Sequence, residues 1–180
     1  ISAISMLADM PGLTGVELTG NMISDITPLQ GMHLTKLFLS DNMIIDYSPV
    51  KDIYPSLTEK DFEFMLPDDK WGERSADDLV FNDSVLEAKV RKAMGIPEGY
   101  ITKDQAEAVT SLHLGNPFDT EVPEADKIID IAALAQFPNL VSLNLANNSF
   151  HGIKALSLLT KLTELDLRNN DIWDLNPLGK

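Results

Sequence analysis

The chain has 180 residues, 44% hydrophobic and 23% charged, with no cysteine and a formal net charge of −14. That length holds about one domain or two small ones, and no stretch approaches the ~18 uninterrupted apolar residues of a membrane span. The acidic balance argues against nucleic acid and anionic lipid as partners, while the missing cysteine removes disulfides, thiolate metal sites and cysteine nucleophiles without fixing a compartment.

Taken in chain order, the dominant signal is an internal repeat. Ile1, Ile4 and Leu7 fit the tail of one copy, in register with Leu13. The full pattern then runs Leu13, Val16, Leu18, Asn21, Ile23, Ile26 and Leu29, and recurs 21 residues on from Leu34 to Val50. Each Leu-x-Leu predicts a short strand with alternate side chains buried. The Asn that follows (Asn21, Asn42) suits a corner where free backbone groups need a partner. Asp25 before Pro28 and Asp46 before Pro49 suit a tight, non-strand return path.

Between Lys51 and Val80 the leucine pattern fails, because the next strand Leu would fall on Lys60. Ser56-x-x-Glu59 resembles a capping box and predicts a short helix from Leu57 to Met65. Pro67 to Asp78 reads as linker, with Trp71 as its candidate for burial. A clearer helix spans 83–95: Asp83 or Ser84 starts it, Leu86, Val90, Ala93 and Met94 share one face, and Gly95 with Pro97 stops it. Lys89, Arg91 and Lys92 complement its dipole. A second helix starts at Thr102, whose Gln105 completes a capping box.

An irregular unit begins at Val109, Leu112 and Leu114, with about nine extra residues between Gly115 and Asp126 and Pro117 in the ladder-Asn slot. Insertions in repeat arrays leave as loops, often on the binding face. Regular units resume at Leu140, Leu143, Leu145 and Asn148, and 22 residues later at Leu162, Leu165, Leu167 and Asn170. The division that follows is 1–50, the end of a first repeat block; 51–80, an acidic linker with a capping helix; 81–108, a helical cap; and 109–180, a second block. The net charge divides as −4 for 1–50, −6 for 51–108 and −4 for 109–180, so no segment is an acidic tail.

The segments LTGVELTGNMISDITPL and LTELDLRNNDIWDLNPL resemble the short leucine-rich repeats of bacterial internalin-like proteins. VLEAKVRKAMGIPEGYITKDQAEAVTSLHL is similar to the helical cap that precedes such repeats in many Firmicutes surface proteins. The resemblance implies an α/β fold: a right-handed leucine-rich repeat solenoid with a concave parallel β-sheet, in two blocks with a helical cap between them. It also implies an extracellular or cell-wall-associated protein that binds another protein.

Residues between the strand leucines face the concave side. The central column reads Glu17 and Phe38 in the first block, then His113, Asn144 and Asp166 in the second. Ser111, Ser142 and Glu164 flank it on one side; Gly115, Ala146 and Arg168 on the other. The candidate partner-binding residues are Phe38, His113, Asn144, Glu164, Asp166 and Arg168, with Phe118 on the insertion. A serine hydrolase is not expected, because two strand spacings separate His113 from Asp166 by roughly 10 Å and nothing supplies an oxyanion hole. Scattered carboxylates and isolated His33 and His151 lack metal-ligand spacing. Trp173 is expected to pack on the convex side.

These features predict a non-enzymatic protein-interaction module with no cofactor; the alternative is a structural spacer or a targeting domain within a larger wall protein. The partner is expected to be a protein, without nucleic acid or membrane insertion. Ile1 opens the sequence without a basic or apolar leader, which predicts a mature or truncated chain whose targeting signal is not visible. Outer strands without caps predict end-to-end self-association.

Overall fold

A computed structural model describes residues 1–62, 74–118 and 121–179. Two compact units are present, Ile1–Pro67 and Asp68–Lys180.

In the first unit, strands β1 (Gly15–Glu17), β2 (Lys36–Phe38) and β3 (Glu59–Lys60) form a parallel sheet in that order. The register pairs Val16 with Leu37 and Leu37 with Lys60. Between strands the chain returns through short 3-10 helices, Thr27–Leu29 and Ser48–Val50, each with proline in its first turn. The Asp-x-x-Pro spacing works as an Asx turn: Asp25 accepts the Thr27 N–H and Asp46 the Ser48 N–H, both at 2.8 Å. The core is the repeat itself, with Ile23, Leu29, Leu37, Leu39 and Val50 fully buried.

The repeat therefore extends past residue 50, and the helix expected over 57–65 is not what residues 57–62 form. Ser56 donates its hydroxyl to the Ile53 carbonyl, and the Thr35 carbonyl accepts the Thr58 and Glu59 N–H groups at 2.8 and 3.3 Å. Those donors, which a helix would have left for a cap, extend the sheet instead. Lys60 stands in a leucine slot of a strand that, among the described residues, pairs with β2 alone; its ammonium lies 4.8 Å from the Tyr54 ring centre. Phe62 then stacks on Tyr47, with centroids 4.9 Å apart, and closes that end of the core. Residues 63–65 and Trp71 lie outside the described residues.

In the second unit Asp78 bridges Thr102, and the Leu79 N–H donates to the Ile101 carbonyl. This part of the expected linker is pinned in structure. Helix α1 (Ser84–Met94) starts at Asp83 and ends at Gly95, whose φ of 68° is the left-handed conformation that lets the last carbonyls find N–H partners. Helix α2 (Lys103–Glu107) carries the reciprocal Thr102–Gln105 capping box. Leu86, Val90, Ile101 and Ala106 join one core with the repeat residues Leu112, Leu134, Phe137, Leu143 and Phe150. Strands β4 (Ser111–His113), β5 (Ser142–Asn144) and β6 (Glu164–Asp166) form a second parallel sheet.

Asparagines close the corners as the pattern predicts. The Asn42 amide donates to the Leu18, Leu39 and Ser40 carbonyls and its oxygen accepts the Ile23 N–H. Buried Asn148 repeats this with Leu145 and Ile128. In the inserted unit Pro117 takes the ladder position, and Asn116, one residue earlier, bonds the neighbouring ladder residue instead. It donates to Asn148 Oδ1 at 3.0 Å, and Lys89 from α1 donates to its own oxygen at 2.6 Å. Trp173 does not pack; it is 72% exposed. No helix among the described residues is long and apolar enough to cross a membrane.

Candidate functional site

The parity of the second sheet builds its surface. Leu112, Leu143 and Leu165 point to the core side, so their neighbours project from the opposite face. The register places Ser111 beside Ser142 and Ser142 beside Glu164; in the next column it aligns His113, Asn144 and Asp166. Five of the expected residues, His113, Asn144, Glu164, Asp166 and Arg168, thus share one surface. Phe38 belongs to the first unit, half-buried on the sheet there. Phe118 is 81% exposed and lines a cleft of about 300 Å3 under the inserted loop, with Glu121, Lys127, Asn147 and Asn169.

Side chains on this face are held by one another. Arg168 grips Asp166 with Nε at 2.9 Å and a terminal nitrogen at 2.7 Å, a two-point ion pair. These hydrogen bonds hold the Asp166 carboxyl below the ordinary aspartate range, against a small opposing effect of burial. Asn144 donates to Asp166 at 3.4 Å and accepts the Ala146 N–H at 3.0 Å. Gly115 makes room for it: a Cβ there would stand 2.3 Å from Asn144 Oδ1. Asn144, Asp166 and Arg168 are therefore held by their own contacts, with His113 aligned beside Asn144 by the register.

The same contacts bear on chemistry. Asn144 stands between His113 and Asp166 in the register, and Asp166 is committed to Arg168, so no carboxylate–histidine pair forms there. Among the described residues no three histidine or acidic side chains converge as metal ligands. His113 is exposed, and Glu164 projects to solvent beside Ser142.

The sequence reading missed three contributors. Asn116, Asn147 and Asn169 form a second line of amides behind the ladder: Asn147 donates to the Asn116 carbonyl at 2.7 Å and Asn169 to Asn147 Oδ1 at 2.8 Å. Asn147 and Asn169 adopt positive φ, 60° and 53°. The Asn-Asn pairs at 147–148 and 169–170 carry that signal, since asparagine tolerates the left-handed conformation. Burial of Lys89 against this line, with Lys92 nearby, holds its ammonium below the usual lysine range.

Residues 138–180 match the family model for Leucine Rich repeats, in two copies. None of the curated proteins compared matches the chain. Among solved structures it is similar to internalin C2 of Listeria monocytogenes, at 23% identity and a TM-score of 0.33 over 99% of this chain and 62% of that one. It is also similar to an internalin (inlF) of the same organism, at 22% identity and a TM-score of 0.36 over 99% and 48%. A third likeness is to the CBM51-2 and INT domains of Clostridium perfringens ZmpB, at 20% identity and a TM-score of 0.41 over 66% and 20%. The chain spans less than two thirds of each of these structures. The leucine-rich repeats read from the sequence are met by the repeat match over residues 138–180.

Proposed function

We propose that this leucine-rich repeat chain is a non-enzymatic, extracellular or wall-associated module that holds another protein on the concave face of its second repeat block. In this reading α1 and α2 are the helical cap of a solenoid, covering apolar surface that the first strand would otherwise expose. The observation that carries it is the row of His113, Asn144, Asp166 and Arg168, aligned along one face, in which Asn144, Asp166 and Arg168 are tied by their own hydrogen bonds. Side chains already fixed lose little freedom on binding, which is where much of the cost of association lies. Glu164 and Phe118 extend the contact area, and Phe38 offers the first unit an aromatic anchor. The net charge of −14 favours basic partners and speeds their approach.

The test compares the wild-type chain with a His113, Asn144, Asp166 and Arg168 quadruple alanine variant. Each is immobilised, offered surface proteins from candidate host and bacterial cells, and the captured species is titrated against it. A loss of at least about tenfold in affinity is expected, as hot-spot truncations at an interface typically give. Equal capture by both would remove this face as the binding surface.

A further inference from the structure

The insertion after β4 walls the cleft of about 300 Å3 with Phe118, whose ring is 81% exposed, and with the side chains of Glu121, Glu124 and Lys127. Asn147, Asn148 and Asn169, from the repeats that follow, complete its polar lining.

Two carboxylates and one ammonium share this lining, and they are not equally engaged. Lys127 donates to one Glu124 oxygen at 2.5 Å, and the Ser149 hydroxyl donates to the other at 3.0 Å. These bonds, the Lys127 one foremost, hold the Glu124 carboxyl below the ordinary glutamate range. That pair is closed. Among the described residues no hydrogen bond or ion pair engages Glu121, which leaves its charge uncompensated. The side-chain nitrogens of the wall are committed as well. Asn147 donates to the Asn116 carbonyl at 2.7 Å, Asn148 to the Leu145 carbonyl at 2.9 Å and Asn169 to Asn147 at 2.8 Å. An incoming anion would have to compete for these donors, whereas an incoming cation meets a carboxylate without a partner and an open aromatic ring.

We propose that this cleft takes an arginine side chain of the bound protein, its guanidinium paired with Glu121 and covering the Phe118 ring. The proposal rests on the reading that the second block binds a protein, and names the chemistry the partner presents at the insertion. A guanidinium meets both features at once: its N–H groups form a fork that fits a carboxylate, and its flat face lies on an aromatic ring. A lysine ammonium would answer the charge as a point and leave the ring uncovered. The cleft is at the small end of the range for ligand sites, so one side chain fills it. The net charge of −14 draws a basic segment towards it.

Amide NMR of the full chain, titrated with acetyl-Gly-Arg-Gly-amide, tests it. Saturable shifts at Phe118, Glu121, Lys127 and Asn147 are expected. The same peptide with citrulline, an isostere without the charge, is expected to bind about tenfold more weakly, since it loses the charged hydrogen bonds and the cation–π contact. Glu121→Gln and Phe118→Ala, both at exposed positions, are each expected to weaken the arginine peptide about three- to tenfold while keeping the wild-type circular dichroism. Added salt weakens it too. No saturable shift with the arginine peptide would overturn the proposal and leave the partner-binding face standing, because capture by that face is measured separately through His113, Asn144, Asp166 and Arg168. Equal shifts with the citrulline peptide, or with maltose, would overturn the cation and give the cleft to an uncharged ligand.

Discussion

Asp83 holds the helical part of the second unit to its repeats, and its removal is the sharpest test of how that unit coheres. The side chain is 6% exposed. One carboxylate oxygen accepts the Leu86 N–H at 2.8 Å, capping α1, while the other accepts the Ile129 and Asp130 N–H groups at 2.7 and 3.0 Å. Hydrogen bonds to a charged acceptor contribute about 1.5–3 kcal/mol each, and an N-cap alone about 1 kcal/mol. Ile129 is half exposed, so water can replace part of its bond. Asp83→Ala should therefore cost about 3–5 kcal/mol. Asp83→Ser keeps the cap and loses the reach to Ile129 and Asp130, and should cost about 2–3 kcal/mol. At about 3–5 °C per kcal/mol for a unit of this size, the alanine variant should melt about 10–20 °C lower. Calorimetry measures the shift, and amide exchange localises it to α1 and residues 128–130. An Asp83→Ala chain that unfolds within about 1 kcal/mol of wild type would show that α1 is held by apolar packing alone.

Other consequences are equally direct. The Arg168 bonds lower the Asp166 pKa, so what this pair adds to stability is present above the ordinary aspartate pKa and lost as pH falls through the lowered one. Carboxyl NMR should show Asp166 titrating below an ordinary aspartate and rising towards it in Arg168→Ala. Gly115→Ala drives a methyl group into Asn144 and should destabilise the second unit by about 1–3 kcal/mol in urea unfolding. Combining it with Asn144→Ala should recover part of that loss, and full additivity would refute the contact. Asp61→Ala frees the Leu39 and Ser40 amides, whose exchange should accelerate while the amides of β1 stay protected.

Leucine spacing alone located five of the six strands among the described residues, because an apolar residue at every second position has one way to be buried in a strand, and the 21–22-residue recurrence stacks those strands in register. The ends of α1 were equally legible, since Asp83 and Gly95 act through bonds to residues within one turn. The face carrying His113, Asn144 and Asp166 followed from the same parity. What lay beyond local pattern was polar and long-range. Strand β3 has no leucine to announce it, and Lys60 lies over Tyr54 instead. Asn116 bonds the ladder residue Asn148 from the line behind it, and Lys89 reaches Asn116 from a helix 27 residues earlier. Asp83 was visible as a cap, yet its second oxygen serves Ile129 and Asp130, 46 and 47 residues away. Trp173 looked like packing and is 72% exposed instead. Periodic apolar contacts are written in each repeat, whereas a carboxylate or amide takes whichever donors the folded chain brings within 3 Å, and only the tertiary structure decides which those are.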